Sequence, residues 1–227
     1  MVTLCVCAPC GRRLEDITEY AESIGVFRVF GEAERDRLEG ISSPKARALS
    51  LGGLIALYRL TETLGKEKKG LEIARTAGGK PYFSGNNKYS FSISHAGELS
   101  VAVLTDGENI GVDLETLEQS RNIRGISDRF FNENEKRELS GSDFDSRIFY
   151  KLWTAKEARA KRSGEGLSSV FSGTAKKNAE EYISHYTLRQ GEREYAMAIC
   201  TSAHQRIEML KEDLNIEIYK FQERVEK

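Results

Sequence analysis

The chain has 227 residues, enough for one large domain or two domains of about 100 residues each, and either arrangement can bury a substantial apolar core. Its 34 basic and 35 acidic residues almost cancel, which excludes the strong overall positive field of a typical nucleic-acid-binding protein. No apolar run reaches the roughly 18 residues of a membrane span, and charged residues follow the first strand-like run, so we expect a cytoplasmic protein that binds neither membranes nor nucleic acid.

Three of the four cysteines cluster near the N-terminus, at Cys5, Cys7 and Cys10, whereas Cys200 is distant in sequence. A cluster of this kind can supply zinc ligands, but no second Cys-x-x-Cys pair and no His-x-His motif follows to complete a site. Cys5 and Cys7 alternate with apolar residues, as buried strand residues do. We therefore expect reduced structural thiols, with zinc binding as the alternative.

The first half begins with a strand-like run at residues 2–7 and a helical pattern over residues 13–21. The clearest helix is predicted to start with Ser43 as N-cap and Pro44 as its first residue, and to end at Gly65. Its wide apolar face indicates that it packs against the core.

Three strands are predicted after this helix, over residues 89–94, 99–105 and 109–115. Turns that contain Gly97 and Gly107 separate them, so the pattern predicts an antiparallel meander. In the first of these strands the serines at alternate positions are expected to face outward.

The second half contains a strong helical pattern over residues 145–162 and two strands that flank a turn at Gly191. Both halves thus pair one long helix with a small, mostly antiparallel sheet, which predicts an α+β fold. We expect two similar subdomains, at residues 1–107 and 108–227, with a ligand site at their seam. From residue 207 the charged tail is compatible with a helix and one added strand, or with a frayed end.

Three carboxylates occur where burial would favour apolar residues. Asp113 and Glu115 share one face of a strand, because side chains alternate with period two. Glu157 lies in the same helical stripe as Trp153. Like charges that meet would raise one another's pKa or recruit a cation, and an all-oxygen site suits Mg²⁺. The alternative is that the two strand carboxylates face solvent and that Glu157 pairs with Lys161.

Several segments follow one another in an order that is specific when taken together. They are Gly-Lys-Pro at 79–81, Phe-Ser-Ile-Ser-His at 91–95, Ile-Gly-Val-Asp-Leu-Glu at 110–115, Phe-Phe-Asn-Glu at 130–133, and the helical motif at 153–161 that runs into 164–167. In these segments the chain resembles the 4′-phosphopantetheinyl transferase superfamily, specifically its large single-chain Sfp-type enzymes.

The resemblance implies a monomeric pseudodimer of two α+β subdomains with coenzyme A in the cleft between them. The reaction implied is transfer of the 4′-phosphopantetheine arm of coenzyme A to a serine of an apo acyl or peptidyl carrier protein, with Mg²⁺ as cofactor and 3′,5′-ADP as the second product. Which carrier protein is served does not follow from the sequence.

For the catalytic side of the site, the resemblance implies that Asp113 and Glu115 hold Mg²⁺ on the pyrophosphate. Glu157 would complete the metal shell or act as general base for the serine proton, and both roles stay open. Lys161 is expected to contact a phosphate oxygen, with an intrahelical ion pair to Glu157 as the alternative. Lys156 points about 100° around the helix and is expected to face solvent or a second phosphate-binding flank.

For the ligand side, Ser94 and His95 are expected to contact a coenzyme A phosphate, and Lys80 and Pro81 to lie against the adenine nucleotide. A surface histidine at a strand end and a simple turn are the alternatives. The basic cluster before and within the first long helix suits the 3′-phosphate, and within it we expect Arg47 to be the ligand; its members are Arg35, Arg37, Lys45 and Arg47.

The charged helical stretch at residues 130–140 corresponds to the place where the family meets its carrier protein, and Lys136 and Arg137 are expected to meet acidic carrier residues. A solvated helix is the alternative. Two other functions stay open: a non-catalytic module of the same fold that binds coenzyme A or a carrier protein, and a Mg²⁺-dependent pyrophosphate hydrolase.

Overall fold

The computed structural model describes residues 1–7, 13–64, 69–86, 88–107, 109–118, 122–165, 181–210 and 216–220. Within them the chain forms, in order, β1 (Val2–Cys7), α1 (Leu14–Ile24), α2 (Val26–Phe30), α3 (Glu32–Glu39), α4 (Pro44–Glu62), β2 (Ile73–Arg75), β3 (Pro81–Phe83), β4 (Tyr89–Ala96), β5 (Leu99–Asp106), β6 (Gly111–Thr116), α5 (Ile123–Phe130), α6 (Glu133–Gly141), α7 (Ser146–Ser163), β7 (Tyr182–Gln190), β8 (Arg193–Thr201), β9 (Ile207–Met209) and β10 (Glu217–Lys220). The expectations for Cys10, Gly65, Gly166, Leu167 and the side chains of Cys5 and Cys7 fall outside this description.

The first four-stranded sheet has the order β4-β5-β1-β9 and packs on helix α4. Ser43 begins this helix as predicted, because its hydroxyl accepts a hydrogen bond from the Ala46 amide at 3.3 Å and Pro44 follows as the first helical residue. The helix ends at Glu62, three residues before the predicted stop at Gly65. Its buried leucines and alanines pack with residues of β4 and β5 in one hydrophobic core.

The second four-stranded sheet has the order β10-β7-β8-β6 and packs on helix α7. Asp145 caps this helix by accepting a hydrogen bond from the Arg147 amide at 2.6 Å. The turn between β7 and β8 contains Gly191 with a φ of +58°, a conformation that glycine adopts without strain. The predicted α+β class, the long helix and this hairpin are confirmed.

The predicted three-stranded meander is wrong in its last strand. Strand β6 pairs with β8 in the second sheet, and its other edge meets β4 through serine side chains. Ser92 Oγ accepts a hydrogen bond from the Val112 amide and Ser94 Oγ from the Leu114 amide, both at 3.1 Å. The serines are therefore buried, at 5% exposure each, and do not face outward as predicted. Hydroxyl oxygens thus replace backbone carbonyls where the two sheets meet.

Gly111 permits the close packing of β6 on α7. A Cβ atom added there would lie 1.9 Å from the Ala158 carbonyl oxygen and 2.6 Å from the Arg162 amide nitrogen. The Arg162 guanidinium also donates to the Asn109 carbonyl at 3.1 Å, just before the strand. These contacts fix the height of α7 above the strand that carries Asp113.

The C-terminal region returns to both sheets. Strand β9 pairs in parallel with β1, with Val2 opposite Ile207, and β10 pairs antiparallel with β7. Of the alternatives left open for this tail, the described residues show added strands and no helix. None of the described helices combines the length and the apolar character needed to cross a bilayer.

Candidate active site

A cavity of about 740 Å³ opens where the edges of β4 and β6 meet, and it is lined from both halves of the chain. The site residues expected from the sequence line this cavity, with the exception of Arg47. They are Lys80, Pro81, Ser94, His95, Asp113, Glu115, Glu157 and Lys161. Residues that are up to 81 positions apart in sequence are thus brought to one surface.

Asp113 is the most buried acidic group of the cavity, at 3% exposure. Its Oδ1 atom accepts hydrogen bonds from Lys161 Nζ at 2.8 Å and from Ser94 Oγ at 3.0 Å. Lys161 Nζ also donates to Ser94 Oγ at 2.7 Å, so the three side chains form a closed triangle. Lys161 therefore pairs with the strand carboxylate as well as lying one helical turn beyond Glu157.

The second oxygen of Asp113, Oδ2, is buried and accepts no hydrogen bond from the part of the chain that the structure describes. A buried carboxylate oxygen without a donor is unfavourable unless another positive partner is present. A cation is the partner that this oxygen would accept most readily, because Lys161 already occupies the other oxygen.

Glu115 and Glu157 complete the acidic wall. Glu115 Oε1 accepts a hydrogen bond from the Trp153 indole at 3.1 Å, which ties strand β6 to helix α7. Among the described residues, no three His, Cys, Asp or Glu side chains stand close enough together to hold a metal ion by themselves. The predicted three-carboxylate cluster is thus not seen as a closed site. The carboxylate oxygens of Asp113 and Glu115 are nevertheless the kind of ligand that Mg²⁺ prefers. This ion usually retains several water or phosphate ligands as well.

Two groups on the first-half wall have lowered pKa values. Partial burial, followed by the Lys161 ammonium, lowers the pKa of His95, which favours the neutral imidazole. Burial and then the Arg162 charge lower the pKa of Lys80 to about 8. The Lys80 ammonium donates to the Arg162 carbonyl at the C-terminal end of α7, a favourable position for a cation. Pro81, the next residue, starts strand β3 at the cavity wall.

Arg47 is held away from the cavity. Its guanidinium donates to the Ile41 carbonyl at 2.7 and 3.1 Å and to the Glu39 carbonyl at 3.0 Å, and it thereby fixes the segment before helix α4. The arginines that line the cavity are Arg37 and Arg75. Arg75 was missed, although its position four residues before Gly79-Lys80-Pro81 was a signal that could have been used.

The expectation that Lys156 faces solvent or a phosphate flank is wrong. Its side chain is 7% exposed, and its Nζ lies 2.8 Å from Glu135 Oε2 and 5.7 Å from the centre of the Phe131 ring. This buried ion pair joins α6 to α7. Lys136 and Arg137 lie on α6, where Lys136 forms a surface ion pair and Arg137 is exposed.

Parts of the chain are similar to known proteins. Residues 109–210 match the profile of the 4′-phosphopantetheinyl transferase superfamily. The chain is 28% identical over 125 residues to the 4′-phosphopantetheinyl transferase AcpT of Escherichia coli O157:H7, an alignment that covers 54% of this chain and 62% of AcpT. It is 27% identical over 168 residues to the 4′-phosphopantetheinyl transferase ffp of Bacillus subtilis (67% and 72% covered) and 26% identical over 183 residues to psf-1 of Bacillus pumilus (73% and 76% covered). The chain thus matches less than two thirds of the length of AcpT.

Proposed function

We propose that this chain is a member of the 4′-phosphopantetheinyl transferase superfamily, whose profile its residues 109–210 match, and that it transfers the 4′-phosphopantetheine arm of coenzyme A to a serine of an apo acyl or peptidyl carrier protein. One observation carries the proposal: the triangle of Asp113, Lys161 and Ser94 lies on a cavity wall beside Glu115 and Glu157. The cavity volume of about 740 Å³ is in the range of sites that bind small molecules and cofactors.

Asp113 and Glu115 are the proposed ligands of Mg²⁺, and the buried Oδ2 of Asp113 that lacks a donor among the described residues supports this assignment. When bound, Mg²⁺ would neutralise charge on the pyrophosphate of coenzyme A. Glu157 is proposed either to complete the ligand set or to serve as general base, and its place on the cavity wall is compatible with both roles.

The reaction that we propose forms a bond between the carrier serine oxygen and the β-phosphorus of coenzyme A and breaks the bond from that phosphorus to the bridging oxygen of 3′,5′-ADP. In the general-base assignment the serine proton passes to Glu157. The Lys161 ammonium offsets negative charge that develops on the leaving phosphate. Its hydrogen bonds to Asp113 and Ser94 hold it at the cavity wall before the ligand binds.

The first-half wall is proposed to bind the nucleotide part of coenzyme A. Ser94 and His95 would contact a phosphate, and Lys80 and Pro81 would lie against the adenine nucleotide. Arg47 lies outside the cavity lining. For the 3′-phosphate we therefore propose the arginines that line the cavity, Arg37 and Arg75.

We also propose that the chain is a monomeric pseudodimer in the cytoplasm, with subdomains at residues 1–107 and 108–227. Two four-stranded sheets, each packed on one long helix, support this arrangement. Strand β9 lies in the first sheet, so residues 207–209 would belong structurally to the first subdomain. Size-exclusion chromatography with light scattering tests the monomer.

The decisive experiment incubates the purified chain with coenzyme A, Mg²⁺ and a panel of apo carrier proteins, and measures carrier mass. Transfer adds about 340 Da to the carrier and should stop when Mg²⁺ is chelated. Absence of the adduct from every carrier contradicts the proposal. Binding of coenzyme A without any product would favour a non-catalytic module, and 3′,5′-ADP released without a carrier would indicate a pyrophosphate hydrolase.

A further inference from the structure

Glu34 is a buried carboxylate on the short, highly charged helix α3. Its side chain is 3% exposed. Its Oε2 atom accepts a hydrogen bond from Arg37 Nε at 2.7 Å, and Arg75 Nη2 lies 2.9 Å from Oε1 and 3.2 Å from Oε2. One carboxylate therefore binds two guanidinium groups that come from a helix and from the strand β2.

Arg37 and Arg75, the two arginines bonded to Glu34, lie at the cavity. Both line it, and their side chains are 32% and 35% exposed, so each keeps an exposed part in addition to its bond to Glu34. Arg75 also donates to the Gly79 carbonyl at 3.2 Å, which links it to the loop that carries Lys80. Two positive charges and one negative charge leave a net positive charge at this part of the wall.

Glu34 keeps these arginines close to each other. Arginine side chains have several rotatable bonds, and two guanidinium groups at short range repel each other. A shared carboxylate offsets the repulsion and restricts both side chains through charge-assisted hydrogen bonds, so little ordering remains to be done when an anion binds. Burial strengthens these bonds, and the two guanidinium partners offset the desolvation that would otherwise disfavour a carboxylate at this position.

We propose that Glu34 is a positioning residue that holds Arg37 and Arg75 as one anion-binding pair for a phosphate group of the substrate. This inference rests on the proposed function, because it takes coenzyme A as the ligand of the cavity. Glu34 itself does not contact the substrate. It acts on substrate affinity through the two arginines, and the acidic wall with Asp113 retains its own geometry.

The test compares Glu34→Gln with Glu32→Gln, a matched variant on the same helix whose carboxylate is 70% exposed and pairs with Arg35. Calorimetry measures binding of coenzyme A and of 3′-dephospho-coenzyme A to each folded protein. We expect Glu34→Gln to weaken binding of coenzyme A by about 10- to 100-fold, and Glu32→Gln to change it by less than about twofold. The Michaelis constant for coenzyme A should rise by the same factor, whereas kcat at saturating coenzyme A should change by less than about threefold.

Further variants make the result decisive. Glu34→Asp keeps the charge and should recover part of the affinity, which a neutral packing role would not predict. If Glu34→Gln does not fold, Arg37→Gln and Arg75→Gln replace it, and wild-type affinity in both overturns the proposal. Equal affinity of wild type and folded Glu34→Gln for coenzyme A also overturns it. If the wild-type protein itself binds no coenzyme A, the proposed function fails, and the inference fails with it.

A loss of affinity that is equal for coenzyme A and its 3′-dephospho analogue assigns the pair to the pyrophosphate, and a loss confined to coenzyme A assigns it to the 3′-phosphate.

Discussion

Lys161 Nζ lies 2.8 Å from Asp113 Oδ1 and joins helix α7 to strand β6 across the cavity wall. The other oxygen of the same carboxylate, Oδ2, accepts no hydrogen bond from the described residues. One oxygen of Asp113 therefore pairs with a cationic side chain of the protein. The other oxygen still has lone pairs that a bound cation can use.

Asp113→Asn should abolish most of the proposed transfer and keep the fold. The amide is similar in size, but it removes the negative charge that would hold a cation and that pairs with Lys161. We expect the transfer rate to fall by at least about 100-fold, measured by carrier mass. Asp106→Asn, which changes a carboxylate that is 62% exposed, is the control and should remain active. Normal turnover of the folded Asp113 variant would remove the basis of the metal proposal.

Gly111→Ala should destabilise the chain because its new methyl group would overlap the Ala158 carbonyl oxygen, which is backbone and cannot rotate away. Overpacking of this kind costs about 1–3 kcal/mol, and more where backbone must move. Gly141→Ala is the matched control, since its Cβ would meet no atom within 4 Å and it lies in helix α6. We expect that variant to gain up to about 1 kcal/mol. Urea denaturation measures both, and equal stabilities would contradict the packing of β6 on α7.

The buried ion pair of Glu135 and Lys156 should show strong coupling in a double-mutant cycle. Lys156→Met leaves a carboxylate in a poorly hydrated place, and we expect it to cost about 3 kcal/mol of unfolding free energy. Glu135→Gln keeps the acceptor that bonds the Asn132 amide at 2.8 Å, so the cap of α6 persists. The double variant should cost less than the sum of the single ones by more than about 1 kcal/mol. Additive losses would show that the two charges do not stabilise each other.

Lys80 should make stability depend on pH in the alkaline range. Its pKa is about 8 in the folded chain against an ordinary value of 10.5, so between these values the unfolded chain binds more protons. The contribution of this group to the unfolding free energy therefore rises as pH increases from about 8 to about 10.5 and is constant below that window. Lys80→Met removes the effect. We expect wild type to gain stability relative to this variant across the window, measured by urea denaturation in matched buffers, and a constant difference would contradict the lowered pKa.

The parts of the fold that depend on local chemistry were predictable from sequence. Ser43 and Pro44 specify a helix start through a hydroxyl acceptor and a fixed φ angle. The two-residue period places Asp113 and Glu115 on one strand face, and both residues line the cavity. These predictions succeeded because neighbours in sequence decide them.

The errors concern partners that lie far away in sequence. Alternation alone gives Ser92 and Ser94 an exposed face, since it cannot show that strand β6 of the other half covers them. Lys156 resembles any helix-surface lysine until Glu135 is packed against it. A cluster of arginines likewise does not reveal which member a buried Glu34 will orient.

The Ser94 hydroxyl uses all of its bonding capacity, because it accepts from the Leu114 amide and from Lys161 and donates to Asp113. Each of these partners belongs to the opposite half of the chain, so a phosphate that contacts Ser94 as proposed would have to replace the hydrogen bond that the hydroxyl donates to Asp113. A bound molecule that attracts the Lys161 ammonium would change the strength of the other hydrogen bonds of Ser94. The exchange rate of the Leu114 amide hydrogen should then report occupancy of the crevice, even for compounds that never react.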